Sequence, residues 1–192
     1  GVWSHPDRMA VFLGDYIDRG PQILETLTIV RSMRDAGAAE CLMGNHEFNA
    51  VCWNTPDPDH PGEFLRRHDA RHTAQHSATL EQLAGCYQPW ISWMKTLPLW
   101  LELGDLGGHG NRLHMVHACW SQDDMDMLTN GECGGERLVT GRSDAPCLSE
   151  TGYLRACCDS QSCEHKAVET LLKGPEIPLP AGAVLRDKDG HE

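Results

Sequence analysis

Apolar residues in the first fifty positions come in short unbroken runs, each ending at glycine and a polar residue. Met9-Ala10-Val11-Phe12-Leu13 is the first, and it stops at Gly14-Asp15. Unbroken apolarity over so few residues predicts a strand buried on both faces. Pro21 suits a first helical turn. Ile23, Leu24, Leu27, Val30 and Met33 then repeat at helical spacing to about Ala36, with Gly37 as the closing cap. Glu40-Cys41-Leu42-Met43 predicts the next strand, ending at Gly44-Asn45-His46. In open α/β sheets, ligands gather at the carboxyl ends of the strands. The strand–helix–strand order therefore puts Asp15 and Asn45 on one edge.

The pattern changes from Trp53 to about Pro98. Pro56, Pro58 and Pro61 mark a loop, and Phe64 to Leu83 reads as a polar helix with His68, His72 and His76 at i, i+4 and i+8. That spacing predicts a solvated face, with Arg66, Arg67 and Arg71 nearby. Pro89 to Met94 reads as a second helix, and Trp90, Trp93 and Trp100 are expected to pack this helical insertion, about 53–98, onto a sheet. Leu99–Leu103 and Arg112–His117 predict two more strands, joined by a glycine-rich turn over 105–111. His117 again lies at a strand end. Beyond Ser121 the pattern assigns only a short helix over His165–Lys173 and a proline-containing loop from Gly174 to Gly182. The fold class expected is α/β, in a single domain over 1–192.

Composition narrows the partners. The 192 residues carry a formal net charge of −12. Such a surface repels polyanions, so sequence-independent nucleic-acid binding is not expected. A phosphate substrate is still admissible, because bound divalent cations reverse the local sign of a carboxylate site. No apolar run is long enough to span a bilayer. The nine cysteines form no Cys-x-x-Cys pair. Structural zinc is disfavoured on that spacing, and reduced thiols in a cytoplasmic protein are expected.

Asp15, Asn45 and His117 each follow a short apolar run. A carboxylate, an amide oxygen and an imidazole form a plausible ligand set for a divalent metal. Singly, each has a bland alternative: an Asp after a strand caps turns, and a strand-end His is often structural. Together they sit inside two longer strings, Gly14-Asp15-Tyr16-Ile17-Asp18-Arg19-Gly20 and Gly44-Asn45-His46-Glu47. These strings resemble the second and third signature motifs of calcineurin-like metallophosphoesterases. That family includes phosphoprotein phosphatases, symmetrical diadenosine tetraphosphate hydrolases and the phosphatase module of bacterial polynucleotide kinase–phosphatases. The strand ending at His117 resembles the fourth motif, and the resemblance covers roughly residues 9–120.

The resemblance implies a two-sheet β-sandwich flanked by helices and a pair of divalent metals, manganese first, with iron, zinc or nickel as alternatives. Asp15 would bridge the two metals, while Asn45 and His117 would ligate the second. His46 would protonate the leaving oxygen, Asp18 would hold its tautomer, and Arg19 would grip the phosphate, with Asn45 beside it. Glu47 would brace the loop. A metal-bridging hydroxide would attack phosphorus in a phosphomonoester, a phosphoprotein or a dinucleoside polyphosphate.

Two departures shape the expectation. The family's first motif, Asp-x-His-Gly, belongs upstream of a strand like Met9–Leu13, and the late ligand histidine has no convincing counterpart, Gly190-His191 reading as a chance match. The chain is therefore expected to be a fragment incomplete at both termini, inactive or weakly active, from a parent phosphatase. The rival reading is a non-catalytic metal-binding or interaction domain.

Overall fold

The computed structural model describes residues 1–104, 110–131, 137–158, 160–175, 177–178, 180 and 182–184. Strand β1 (Ala10–Phe12) pairs in parallel with β2 (Ala39–Cys41), and helix α1 (Ile23–Asp35) crosses between them. Ile23, Leu27 and Val30 form the buried stripe of α1. The helix stops at Ala36, and Gly37 follows at φ 68°, the left-handed conformation that closes helices at low cost. Pro21 precedes α1 rather than opening it, since the cap is Gln22. β1 is also less enclosed than its apolarity predicts, with Met9 and Leu13 exposed at 44% and 47%. A mixed helix-and-strand chain of the α/β class is what the described residues form.

Helix α2 (Asn45–Asn54) starts directly at the end of the β2 segment. Glu47, its third residue, accepts the Gly44 N–H at 3.0 Å and so satisfies one of the amides an α-helix leaves unpaired at its start. Helix α3 (Ala70–Gln82) is capped by Asp69, whose side chain accepts the His72 N–H at 2.8 Å. The cap shortens the helix expected from Phe64, and it leaves His68 outside. Helix α4 (Tyr87–Met94) follows. It buries Trp93, packs Trp90 edge-on against it, and takes the Arg31 guanidinium over the Trp90 ring at 5.5 Å. The tryptophans pack, as their spacing predicts.

β3 (Trp100–Leu103) and β4 (Leu113–Val116) form an antiparallel pair, as do β5 (Val139–Arg142) and β6 (Ala145–Leu148). The turn expected over 105–111 lies mostly outside the described residues. A few backbone hydrogen bonds link the three two-stranded sheets. Met43 N–H donates to Pro98 and Leu99 N–H to Pro146, both at 2.9 Å, and Glu102 N–H to Asp144 at 2.7 Å, while Leu42 N–H extends the β1–β2 ladder to Phe12 at 2.8 Å. Their shared core contains Leu27, Met43, Val51, Met94, Leu99 and Leu128. Residues that sequence patterning left unassigned form α5 (Gln122–Asn130), β5, β6 and α6 (Glu150–Cys158), and α5 and α6 pack against α7 (Cys163–Lys173). Ser121 and Ser162 cap α5 and α7 through their hydroxyls.

The reduced-thiol expectation holds at Cys41, Cys52, Cys86, Cys119, Cys147 and Cys157. It fails at Cys163, which is disulfide-bonded. Spacing along the chain does not encode which sulfurs meet in space. No helix among the described residues is long and apolar enough to cross a membrane.

Candidate active site

The ends of β1 and β2 are pressed together by two glycines. Gly14 has φ 99°, and a Cβ placed on it would lie 2.5 Å from the Gly44 nitrogen. A Cβ on Gly44 would in turn lie 2.5 Å from Asp15 Oδ1. No side chain fits at either contact. Tyr16 adds a tie from below. Its hydroxyl reaches the carbonyls of Phe12 and Leu42 at 3.0 and 2.8 Å and accepts the Gly14 N–H.

Glu47 locks the two loops together. It is fully buried and accepts three backbone amides, from Asp15 and Tyr16 at 2.8 Å and from Gly44 at 3.0 Å. Burial pushes its carboxyl upward, and the three amides pull against that push. Its expected bracing role is thus visible in the geometry. Asp15 and Asp18 both adopt left-handed backbone, at φ 62° and 69°. Each conformation costs on the order of 1 kcal/mol, which the glycine contact and the Glu47 bonds must offset.

The expected ligand residues converge. His117 Nδ1–H donates to the Leu13 carbonyl, which can only accept. In the neutral ring Nε2 is therefore a lone pair. It stands 3.2 Å from Asn45 Oδ1 and 3.5 Å from Asp15 Oδ1. In that tautomer the Nε2 lone pair and two side-chain oxygens lie close together. Their spacing is close to the roughly 3 Å separating adjacent donors around an octahedral cation with bonds near 2.1 Å. The trio has the donor chemistry for one divalent cation, and an imidazole with two oxygens suits manganese, iron, nickel or zinc. One member is an amide, so the described residues contain no group of three His, Cys, Asp or Glu side chains in metal-binding array.

Beside the trio is a buried carboxylate–imidazole network. Asp18 Oδ2 lies 2.7 Å from His46 Nδ1, which orients that ring and leaves Nε2 without a partner among the described residues. The other oxygen, Oδ1, takes His76 Nδ1–H and the Thr79 hydroxyl at 2.5 and 2.7 Å. His76 Nε2 then accepts from the Tyr87 hydroxyl at 2.8 Å. Burial opposes ionisation of Asp18, but hydrogen bonds from His46 and His76 overcome it and hold the carboxyl well below the usual range. The Asp18 bond likewise raises His46 against its own burial. Burial, reinforced by Asp18, raises Tyr87 and keeps it a donor.

His76 is the residue of the candidate site whose surroundings spacing misread. It is 4% exposed rather than solvated, and it points into the site. His68 precedes α3, is stacked between Trp53 and Phe64 at centroid distances of 3.7 and 4.3 Å, and bonds the Trp53 carbonyl. His72 pairs with its own helix cap, Asp69. The three histidines do not share one face or one role. A signal was available in Tyr87, which supplies a phenol facing α3 from the next helix.

Arg19 follows Asp18 into an open cavity of 510 Å³, lined also by Asn45, His46 and Arg66. A cleft of 590 Å³ lies elsewhere, at Glu102, Arg112 and Asp144. Its charges are already matched there, Arg112 to Glu102 and Arg142 to Asp144, so it offers no convergent chemistry. Compared with known proteins, the chain matches no protein-family model and no curated sequence.

Proposed function

We propose that the chain is the core of a metal-dependent phosphoric ester hydrolase of the calcineurin-like metallophosphoesterase type, with the family's two-sheet sandwich as its finer fold. The observation that carries this reading is the juxtaposition of two arrangements. The donor trio of Asp15, Asn45 and His117 stands next to a His46 ring that Asp18 orients.

Asp15, Asn45 and His117 would hold one divalent cation, and Asp15 would share its carboxylate with a second. Bound cations would supply Lewis acidity, activating water and neutralising phosphate oxygens. The chain's own residues do the rest. Arg19 offers the phosphate a planar fork of donors from an exposed position in the cavity. Asn45 borders the same space. His46, whose charged form the bond to Asp18 favours, gives the Nε2 proton to the departing ester oxygen. Water then takes the place of the ester oxygen on phosphorus. The substrate is a phosphomonoester, a phosphoprotein or a dinucleoside polyphosphate.

The described donors serve one cation better than two, so turnover by residues 1–192 is expected to be weak. Calorimetric titration with manganese, paired with hydrolysis of 4-nitrophenyl phosphate, tests the reading. Manganese should bind, and the slow hydrolysis should require it. Asp15→Asn should lose both, whereas His46→Asn should lose hydrolysis alone. Absence of manganese binding, or turnover indifferent to both substitutions, would sink the proposal.

A further inference from the structure

We infer that the cavity holds a second anion subsite, built on Arg66 and Arg71, for a substrate bearing another anionic group beside the scissile phosphate. The inference rests on the hydrolase reading for which group is scissile, but the subsite itself stands on separate observations.

The first observation is the state of Arg66. Its guanidinium is half-buried, yet its two partners are neutral amides, Asn49 Oδ1 and Gln75 Oε1, the latter at 2.9 Å. No carboxylate pairs with it among the described residues. Burial works against its charge. A guanidinium has five N–H donors, and these two bonds leave three for a ligand. A partly desolvated cation oriented by neutral side chains has the chemistry of an anion receptor rather than of an internal salt bridge.

The second observation is local sign. Arg19, Arg66 and Arg71 line the same cavity, and none of the three has an ion-pair partner among the described residues. The lining carboxylate is Asp18, and its oxygens are taken up by His46, His76 and Thr79. Lys173 and His72 also border the space but are matched to Glu169 and Asp69. In a chain of net charge −12, three unmatched guanidinium groups around one cavity invert the surrounding sign.

The third observation is placement. Asn49 lies one helical turn beyond Asn45 on α2, on the same side of the helix. Asn49 holds Arg66, and the Asn49 backbone is about 6 Å along the helix axis from that of Asn45. Arg19 follows Asp18 and already offers a fork to the scissile phosphate, so Arg66, held one turn further along α2, and Arg71 are left for a second phosphate or a carboxylate. A volume of 510 Å³ is also within the roughly 300–1,000 Å³ of pockets that enclose whole small ligands.

The test uses inorganic diphosphate and orthophosphate in calorimetry with metal chelated, then hydrolysis of phenyl phosphate and 2-carboxyphenyl phosphate with manganese. Diphosphate should bind about tenfold tighter than orthophosphate, and Arg71→Gln and Arg66→Gln should each weaken it about tenfold. Arg66→Lys, which keeps the charge but not the fork, should fall between. In turnover, both Gln variants should lose about tenfold in kcat/KM on the carboxylated ester and less than about twofold on phenyl phosphate. Arg71 is exposed, so its substitution reports on the ligand even if Arg66→Gln perturbs folding. Equal affinity for the two anions, or diphosphate binding unchanged by both substitutions, would overturn the inference. Arginine-dependent diphosphate binding without any manganese-dependent turnover would uphold the subsite and fell the hydrolase reading instead.

Discussion

His76 Nδ1 lies 2.5 Å from Asp18 Oδ1, on the carboxylate whose other oxygen orients His46. A residue of α3 thereby fixes, through one shared carboxylate, the ring proposed to protonate the leaving group. His76 touches no substrate in this scheme, and it acts by position. His76→Leu removes a donor from a buried anion and should cost about 2–3 kcal/mol of stability. It should also lower kcat by about tenfold with KM nearly constant. His76→Gln, which can still donate, should restore most of the rate. Urea unfolding together with steady-state kinetics checks both halves, and a loss confined to stability would remove the positioning role.

The Asp18–His46 pair also predicts how stability follows pH. Asp18 is held below its ordinary 3.8, so its contribution is present above that value and lost as pH falls through the lower folded pKa. His46 is raised above its ordinary 6.5, so its contribution is present below that value and lost as pH rises through the higher folded pKa. The pair therefore contributes most between about pH 4 and 6.5. Asp18→Asn should cost the most stability in that window and less on either side. The same substitution should move the alkaline fall of the proposed hydrolysis to lower pH. The move should be partial, because Asp15 and Glu47 also favour the charged ring. Denaturant unfolding across pH, with nuclear magnetic resonance titration of the His46 ring, measures both.

The site's two halves differed in how far the chain exposed them. Asp15, Asn45 and His117 end short apolar runs, and a strand's end is a local property that periodicity reports. The parallel β1–α1–β2 unit brings Asp15 and Asn45 to one edge, and His117, at the end of β4, joins them by bonding the Leu13 carbonyl. The role of His76 depends instead on where α3 docks. A histidine ladder at i, i+4 and i+8 looks like one helical face, but the Asp69 cap begins the helix after His68 and breaks the ladder. Helical spacing also cannot tell a face turned to water from one turned to a buried carboxylate. The strand at Met9–Leu13 failed in the opposite sense, since its apolar ends are exposed although its pattern predicts burial. Beyond Ser121, strands as short as Val139–Arg142, with a single buried residue, carry too little alternation to read.

Glu47 offers a test of the scaffold separate from chemistry. Oε2 accepts from both Asp15 and Gly44, and Oε1 from Tyr16. Glu47→Gln keeps the volume but replaces one acceptor oxygen with an NH₂ group, which would face at least one of those amides. A buried donor left facing a donor costs about 1–3 kcal/mol. Manganese affinity should fall with it, since Asp15 is positioned by the first of the three bonds. A melting temperature equal to that of the unsubstituted protein would show that the amides find other partners.

Gly14 and Gly44 carry the steric constraint that matters for the donor trio. Alanine at Gly14 brings its Cβ to 2.5 Å from the Gly44 nitrogen and 3.0 Å from His117 Nδ1, on a backbone already at φ 99°. Neither neighbour can yield easily. One is backbone at a helix start, and the other is the ring that bonds Leu13. Relief therefore requires β1 and β2 to part at their ends, which separates Asp15 from Asn45. Gly14→Ala should destabilise by about 2 kcal/mol or more. It should weaken manganese binding further than its stability cost explains, because the donor trio spans the opened seam. Gly20→Ala is the control. It shares the positive φ, at 83°, but a Cβ there meets nothing within 4 Å. It should cost only the backbone strain, about 1 kcal/mol, and leave the metal affinity unchanged. Equal loss of affinity in both variants would mean that loop conformation, rather than the contact between the two glycines, holds the trio together.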